Sequence, residues 1–214
     1  MNFEIKSTYS GQVYVFCATE AEYVPSALNS VQDGLSDQIR PLVEASRFRG
    51  KSGQSFDFTP IGVAGVHKII IVGLGKADKI DARALEQYGG KAAKMVLMSG
   101  YDTMSIQATG NEEDARILLG ARLASYRFDT YQTKLKDDQK PSLENIILVS
   151  EAVDALSASW EPLAAAAAGT ELARDLMNEP PNVLYPASYA ARIKDMESLG
   201  LKVTILGEKE MAEL

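Results

Sequence analysis

The 214-residue sequence has almost none of the side chains that nucleophilic catalysis and zinc binding require, since it contains one histidine and one cysteine. A Ser-His-Asp or Cys-His arrangement needs a histidine base, and the pattern around His67 predicts only a residue at the edge of a strand. Zinc sites built from thiolates and imidazoles are excluded. Cys17 cannot form an intramolecular disulfide, and its apolar neighbours predict a thiol in the core.

Long apolar runs and basic clusters are also missing. No window approaches the roughly 18 apolar residues of a membrane-spanning helix, and the first ten residues lack the apolar region of a signal peptide. We therefore expect a cytoplasmic protein without a membrane partner. The net charge is −7, and the longest basic cluster is "RFRGK" at residues 47–51. Because nucleic-acid binding depends on clustered lysine and arginine, a nucleic-acid partner is not expected.

The remaining composition is that of a soluble globular protein, with 46% apolar and 24% charged residues. Short β-branched or aromatic runs predict strands at residues 2–7, 12–18, 55–61, 68–76, 102–108 and 144–150. Helical patterns lie between them, at 36–48, from Asp81 onward and at 111–128. This alternation predicts an α/β fold with a largely parallel or mixed sheet flanked by helices. Gly89 and Gly90 would let a neighbouring element approach the second of these helices closely.

Residues 1–155 are predicted to form this first α/β domain, and residues 156–179 a linker helix with Pro162 in its first turn. After the double proline, residues 180–214 start a new pattern. It predicts a helix from Pro186 to Gly200, a strand at 201–206 and a helix from Glu208. One strand and two helices cannot bury a core. We therefore expect an incomplete second α/β domain.

The sequence offers two weak candidates for ligand sites. Gly73-Leu74-Gly75 follows an apolar run, but Asp78 stands where a dinucleotide fingerprint needs its third glycine, so a structural turn is the preferred interpretation. The densest acidic stretches are residues 112–114 and 137–138. Adjacent acids at such positions are usually solvated or interact favourably with a helix dipole. Neither candidate is assigned a catalytic, cofactor-binding or metal-binding residue.

One motif carries far more information. The stretch "ARDLMNEPPNVLYP" resembles the segment that opens the catalytic domain of the leucyl (cytosol) aminopeptidases, of the form A-R-x-L-x-N-x-P-x-N-x-x-x-P. The matching positions are Ala173, Arg174, Leu176, Asn178, Pro180, Asn182 and Pro186. Upstream, "VGLGKADKIDARALEQYGGKAAK" and "GARLASYRFDTYQTK" resemble stretches of the amino-terminal domain of that family.

The resemblance implies an amino-terminal domain of macro-domain-like fold, a linker helix and a peptidase domain, usually assembled as a hexamer. It also implies that the whole enzyme binds two divalent metal ions (zinc, manganese or magnesium), which activate a water for the hydrolysis of N-terminal residues from peptide substrates. The motifs that supply the metal ligands of the family, including N-T-D-A-E-G-R, do not occur in this sequence. We therefore expect no catalytic or metal-binding residue and no bound metal in this chain. Alone it should be inactive and serve assembly or regulation.

Two other functions stay open at the level of the sequence. One is a stand-alone module of macro type that binds a nucleotide or ADP-ribose near Gly73–Gly75, and the other is a DNA-binding accessory protein. The motif around "NEPPN" is itself predicted to be structural. Its prolines end a helix, and Asn178 and Asn182 have short side chains that can bond the freed backbone groups.

Overall fold

A computed structural model describes residues 1–213, which begin with a sheet of six strands. The strands are β1 (Asn2–Lys6), β2 (Val13–Thr19), β3 (Ser55–Phe58), β4 (Lys68–Gly75), β5 (Thr103–Gln107) and β6 (Asn145–Val149). The helices are α1 (Leu35–Ala45), α2 (Ala82–Val96), α3 (Ala115–Ser125), α4 (Val153–Asn178), α5 (Pro186–Asp195) and α6 (Glu208–Ala212). The predicted α/β alternation is confirmed, because α1 lies between β2 and β3, α2 between β4 and β5, and α3 between β5 and β6. The connections from β1 to β2 and from β3 to β4 contain no α-helix.

The strand order is β1-β6-β5-β2-β4-β3. All neighbours are parallel except the edge strand β3, which runs antiparallel to β4 with Ser55 opposite Val72. The predicted mixed sheet is therefore confirmed. The order changes direction between β5 and β2, and such a switch leaves a crevice beyond the carboxyl ends of the strands.

Both faces of the central strands are buried, as the near-continuous apolar runs predict. On β4, Ile69 and Ile71 face one core together with α1, whereas Ile70 and Val72 face a second core with α2 and α3. All four side chains are at most 2% exposed. This two-sided burial fixes the register of β4, because a shift of one residue would exchange the faces of every side chain.

Helices α2 and α3 touch backbone to backbone. A Cβ placed on Gly89 would lie 1.8 Å from the carbonyl oxygen of Ile117, and one on Gly120 would lie 1.9 Å from that of Glu86. The predicted close approach at Gly89 is therefore confirmed, and its partner is α3. Asp81 is the predicted N-cap of α2, and its Oδ1 accepts a hydrogen bond from the backbone N–H of Ala84 at 2.8 Å.

Helix α4 spans Val153–Asn178 and so begins three residues before the linker helix predicted at 156–179, and Pro162 lies inside the helix and not in its first turn. Pro162 lacks the N–H that would bond the carbonyl of Ala158, but both residues are exposed and water can serve that carbonyl. The early turns are held by packing: Trp160 lies 5.8 Å from the Phe3 ring, between centroids. Tertiary contacts therefore override the local preference.

The chain divides into two compact units, Met1–Glu171 and a second that begins at Leu172. The predicted limits of 1–155, 156–179 and 180–214 stay a prediction. In the second unit, the prediction of a strand at 201–206 is wrong, because these residues form no regular secondary structure. A strand needs a hydrogen-bonded neighbour, and no other part of residues 172–213 is extended and paired. The helix predicted from Pro186 to Gly200 ends earlier, at Asp195, and a 3-10 turn (Met196–Leu199) follows it. Gly200, with φ of 88°, ends that turn.

Within residues 1–213, no helix is both long and apolar enough to cross a bilayer.

Candidate functional site

A large concavity lies at the carboxyl ends of β1, β5 and β6, on the face of the sheet that carries α1. Its volume is about 840 Å³. Connecting segments of the first unit form its walls, and the lining residues are Ser7, Thr8, Tyr9, Tyr14, Ala27, Ser30, Val31, Val63, Ala64, Val66, Gln107, Ala108, Gly110, Val149, Ser150, Glu151 and Ala152. We call this concavity the crevice. It lies where the sheet topology favours a ligand site.

One wall of the crevice is aromatic. Tyr9 stacks on Phe16 with ring centroids 5.3 Å apart and lies 5.0 Å from the Tyr14 ring. Burial raises the pKa of Tyr9 well above its usual value, and a hydrogen bond to Ser30 offsets part of that rise. Burial also raises the pKa of Tyr14. Both phenols are therefore neutral at physiological pH.

Two hydrogen bonds attach the connection between β1 and β2 to the sheet beside this aromatic wall. Ser105 on β5 is fully buried, accepts a hydrogen bond from the backbone N–H of Ser10 at 3.0 Å and donates one to its carbonyl at 2.7 Å. These two bonds fix the segment that carries Tyr9. The aromatic wall is therefore built into the fold.

The acidic stretch 112–114 has a structural role. The buried carboxylate of Asp114 accepts hydrogen bonds from Thr109 Oγ1 at 2.6 Å and from the backbone N–H groups of Gly110 and Asn111 at 2.8 and 3.1 Å. Burial raises the pKa of Asp114, and these hydrogen bonds oppose the rise. Asp114 thereby shapes the loop between β5 and α3, whose Gly110 reaches the crevice.

The other sequence candidates do not come together into a site. Asp137 pairs with Lys140 at 2.9 Å on the surface. His67 is exposed just before β4, and its ring lies 5.8 Å from that of Tyr101. Among residues 1–213, no group of three or more histidine, cysteine, aspartate or glutamate side chains could hold a metal ion.

Gly73 and Gly75 lie within β4, and their amides are already used. The N–H of Gly73 donates to the carbonyl of Gln54 at 2.9 Å, and that of Gly75 to the carbonyl of Gly50 at 2.8 Å. A Cβ on Gly73 would lie 2.3 Å from the carbonyl oxygen of Lys51. These glycines permit close packing of the segment 50–54, and they leave no free amide pair to cradle a phosphate.

Cys17 lies on β2 beside a smaller cavity of about 310 Å³. Its Sγ is 3.6 Å from Oε1 of Gln107. Burial, with a smaller contribution from the negative charge of Asp114, raises the pKa of the Cys17 thiol to about 12. Because only the thiolate is a nucleophile, this environment makes the thiol inert at neutral pH.

Iodoacetamide should therefore alkylate Cys17 about 10³-fold more slowly than free cysteine at about pH 8, because the thiolate fraction falls tenfold per pH unit below the pKa. The rate should rise with pH and recover fully in denaturant. The double variant Cys17→Ala, Ser157→Cys is the control, since Ser157 is exposed on α4. A wild-type rate within a few-fold of this control would contradict the assignment.

The double-proline motif lies at the end of α4, which stops at Asn178. Nδ2 of Asn178 donates to the carbonyl of Arg174 at 2.8 Å, as predicted for a residue that bonds freed backbone groups. The carbonyl of Pro180 accepts from the N–H groups of Val183 and Leu184, both at 2.9 Å. The equivalent prediction for Asn182 is wrong, because this exposed side chain makes no hydrogen bond within residues 1–213. The motif is a structural turn.

The sequence is similar to one known protein family and to named members of it. The family profile described as "Cytosol aminopeptidase family, N-terminal domain" matches residues 13–135. A Caulobacter vibrioides protein named "Probable cytosol aminopeptidase" is 38% identical over 199 residues, which are 92% of this chain and 40% of that protein. A Rhizobium etli protein of the same name is 38% identical over 182 residues, 82% of this chain and 37% of that protein. The chain thus spans about two fifths of the length of these curated relatives.

Two solved structures share the fold. A tomato leucine aminopeptidase mutant superposes with a TM-score of 0.82 at 22% identity, covering 100% of this chain and 46% of that one. The bottromycin maturation enzyme BotP, in complex with Mn, superposes with a TM-score of 0.72 at 22% identity, covering 95% of this chain and 40% of that one.

Proposed function

Because the chain belongs to the cytosol aminopeptidase family and corresponds to its N-terminal domain region, we propose that it is the non-catalytic portion of a metal-dependent aminopeptidase. Two observations support this proposal: the match to the family, and the absence of a cluster of metal-ligating side chains in the described residues. The match covers residues 13–135, and residues 1–213 bring no metal-binding group together.

The activity proposed for the whole enzyme is the removal of N-terminal residues from peptides in the cytoplasm. Two divalent ions (zinc, manganese or magnesium) would supply an activated water and hold the amine and carbonyl of the substrate. The residues of this chain do not fit such a pair of ions, because no cluster of three or more suitable side chains occurs within 1–213. We assign no catalytic step to any of them.

The first unit, which we propose to be macro-like, would serve assembly, as a hexamer, or regulation. Two alternatives have less support. Nucleotide or ADP-ribose binding at Gly73–Gly75 is disfavoured because both amides already bond to backbone carbonyls. DNA binding through residues 47–51 is disfavoured because the net charge is −7 and because the guanidinium of Arg49, although exposed, already donates to the carbonyls of Phe48 and Ser46 at 2.6 and 3.0 Å.

The second unit supports the proposal that residues 180–214 are the first elements of the peptidase domain. No residue between 172 and 213 is buried. Nine of the fourteen large apolar side chains that are exposed in residues 1–213 lie in this segment, and Met177 and Leu199 are 86% and 78% exposed. Such a concentration of exposed apolar groups marks an interaction surface. The catalytic portion that the relatives possess would cover it.

Hydrogen exchange of the chain tests whether the second unit lacks a stable core of its own. We expect the amides of α5 and α6 to show protection factors below about 10², because no buried core holds these helices. The amides of β4, which is buried on both faces, should show protection above about 10⁴. Comparable protection of α5 and β4 would mean that residues 172–213 fold without further chain, and would overturn the assignment of this segment to the peptidase domain.

A further inference from the structure

The crevice is a preformed cavity made by several connections of the first unit. The β1–β2 connection contributes Thr8, the β3–β4 connection Val63, the β5–α3 loop Gly110, and the β6–α4 connection Ser150. Its volume of about 840 Å³ is within the range that encloses drug-sized molecules. Neither the Gly73–Gly75 segment nor the proline motif contributes to it.

The aromatic wall favours a flat, apolar group. The rings of Tyr9 and Tyr14 are held against the core, with Tyr9 stacked on Phe16. Both tyrosines pack against the buried cluster on the α1 side of the sheet. Preorganised aromatic surfaces of this kind bind another ring by offset or edge-to-face stacking.

The charges around the crevice favour a cation over an anion. No lysine, arginine or histidine is among its lining residues within the described chain, and Glu151 is the only charged one. The positive end of α4 is already accompanied by the acidic Glu151 and Asp154. The positive end of α3 is accompanied by the buried carboxylate of Asp114. Tyrosine faces add an attraction for cations, so an anionic ligand finds no compensating charge here.

We propose that the crevice binds a small aromatic amine, with its ring against Tyr9 and Tyr14 and its ammonium group towards Glu151. This assignment is independent of the proposed function, because it rests only on the first unit and requires no peptidase chemistry.

Three indole derivatives with different charges test the proposal: cationic tryptamine, neutral tryptophol and anionic indole-3-propionate. Their affinities are measured on the ¹⁵N-labelled 214-residue chain by following the amide signals of Thr8, Gly110 and Ala152 during titration. Tryptamine should bind about tenfold more tightly than indole-3-propionate, with tryptophol between them. Equal or tighter binding of indole-3-propionate would overturn the proposal, and so would the absence of tryptamine-induced shifts at these amides.

A pair of charge-matched variants separates the local effect of Glu151 from that of net charge. Glu151→Gln should weaken tryptamine binding about threefold and leave tryptophol binding unchanged. Glu44→Gln is the control, because Glu44 is exposed on α1 and does not line the crevice. An equal loss of tryptamine affinity in both variants would show that only net charge matters and would overturn the role of Glu151.

Discussion

Gly120→Ala is expected to lower the free energy of unfolding by about 4 kcal/mol, a large part of the stability of a typical domain. The added Cβ would lie 1.9 Å from the carbonyl oxygen of Glu86 and 2.5 Å from its carbonyl carbon. These are backbone atoms of a packed helix, so no side-chain rotation can relieve the clash. Helices α2 and α3 would have to separate, which would open the core that both cover.

The measurement is thermal unfolding followed by circular dichroism, in which Gly120→Ala should lower Tm by roughly 10 °C. Gly169→Ala is the matched control. Gly169 lies inside α4, and a Cβ there would meet nothing within 4 Å. That substitution should leave Tm unchanged or raise it, since alanine favours helix by about 1 kcal/mol over glycine. Equal Tm changes in the two variants would show that the α2–α3 contact is not tight.

The strands of the sheet could be predicted because each has a recognisable pattern in its own local sequence. The run "KIIIVGLGK" contains apolar residues at consecutive positions, which is typical of a strand buried on both faces, and β4 places Ile69 and Ile70 in opposite cores. The N-cap at Asp81 also depends on nearby residues alone. Gly89 was predicted to be a point of close approach, but its neighbours Ile117 and Ala121 on α3 were not. Which helix packs on which is a property of the tertiary structure.

Two of the errors share one physical cause, because they occur where distant contacts decide the local structure. Residues 201–206 have the alternation of a strand, yet no neighbouring strand in residues 172–213 can accept their hydrogen bonds. Pro162 suits a first turn, yet packing of Leu156 and Trp160 on the core extends α4 beyond it. In both places the local sequence does favour the predicted structure, but tertiary contacts contribute more to the free energy than this local propensity does.

The crevice could not be found from sequence. Tyr9, Gln107 and Glu151 are separated by more than forty residues along the chain, and each stands in an unremarkable local pattern. The strand order brings their segments together, because β1, β6 and β5 are adjacent and parallel. The sequence did identify the family, through a motif that turns out to be a structural turn after α4.

The 214-residue chain is expected to lack aminopeptidase activity. The chain is expected to hydrolyse leucine p-nitroanilide no faster than the uncatalysed reaction, with or without Mn²⁺, since residues 1–213 cannot assemble a metal site from three or more side chains. A complete enzyme would exceed the uncatalysed rate by at least about 10⁶-fold. The difference between the two is therefore far larger than any experimental error.

To decide whether the chain is non-catalytic, this assay is performed on the purified 214-residue chain with Mn²⁺ and, in parallel, on the Caulobacter vibrioides relative as a positive control. We expect hydrolysis by the relative that EDTA abolishes, and only uncatalysed hydrolysis by the chain. Hydrolysis by the chain that requires Mn²⁺ and disappears with EDTA would show that the chain is catalytic, because a complete metal site would then lie within these residues.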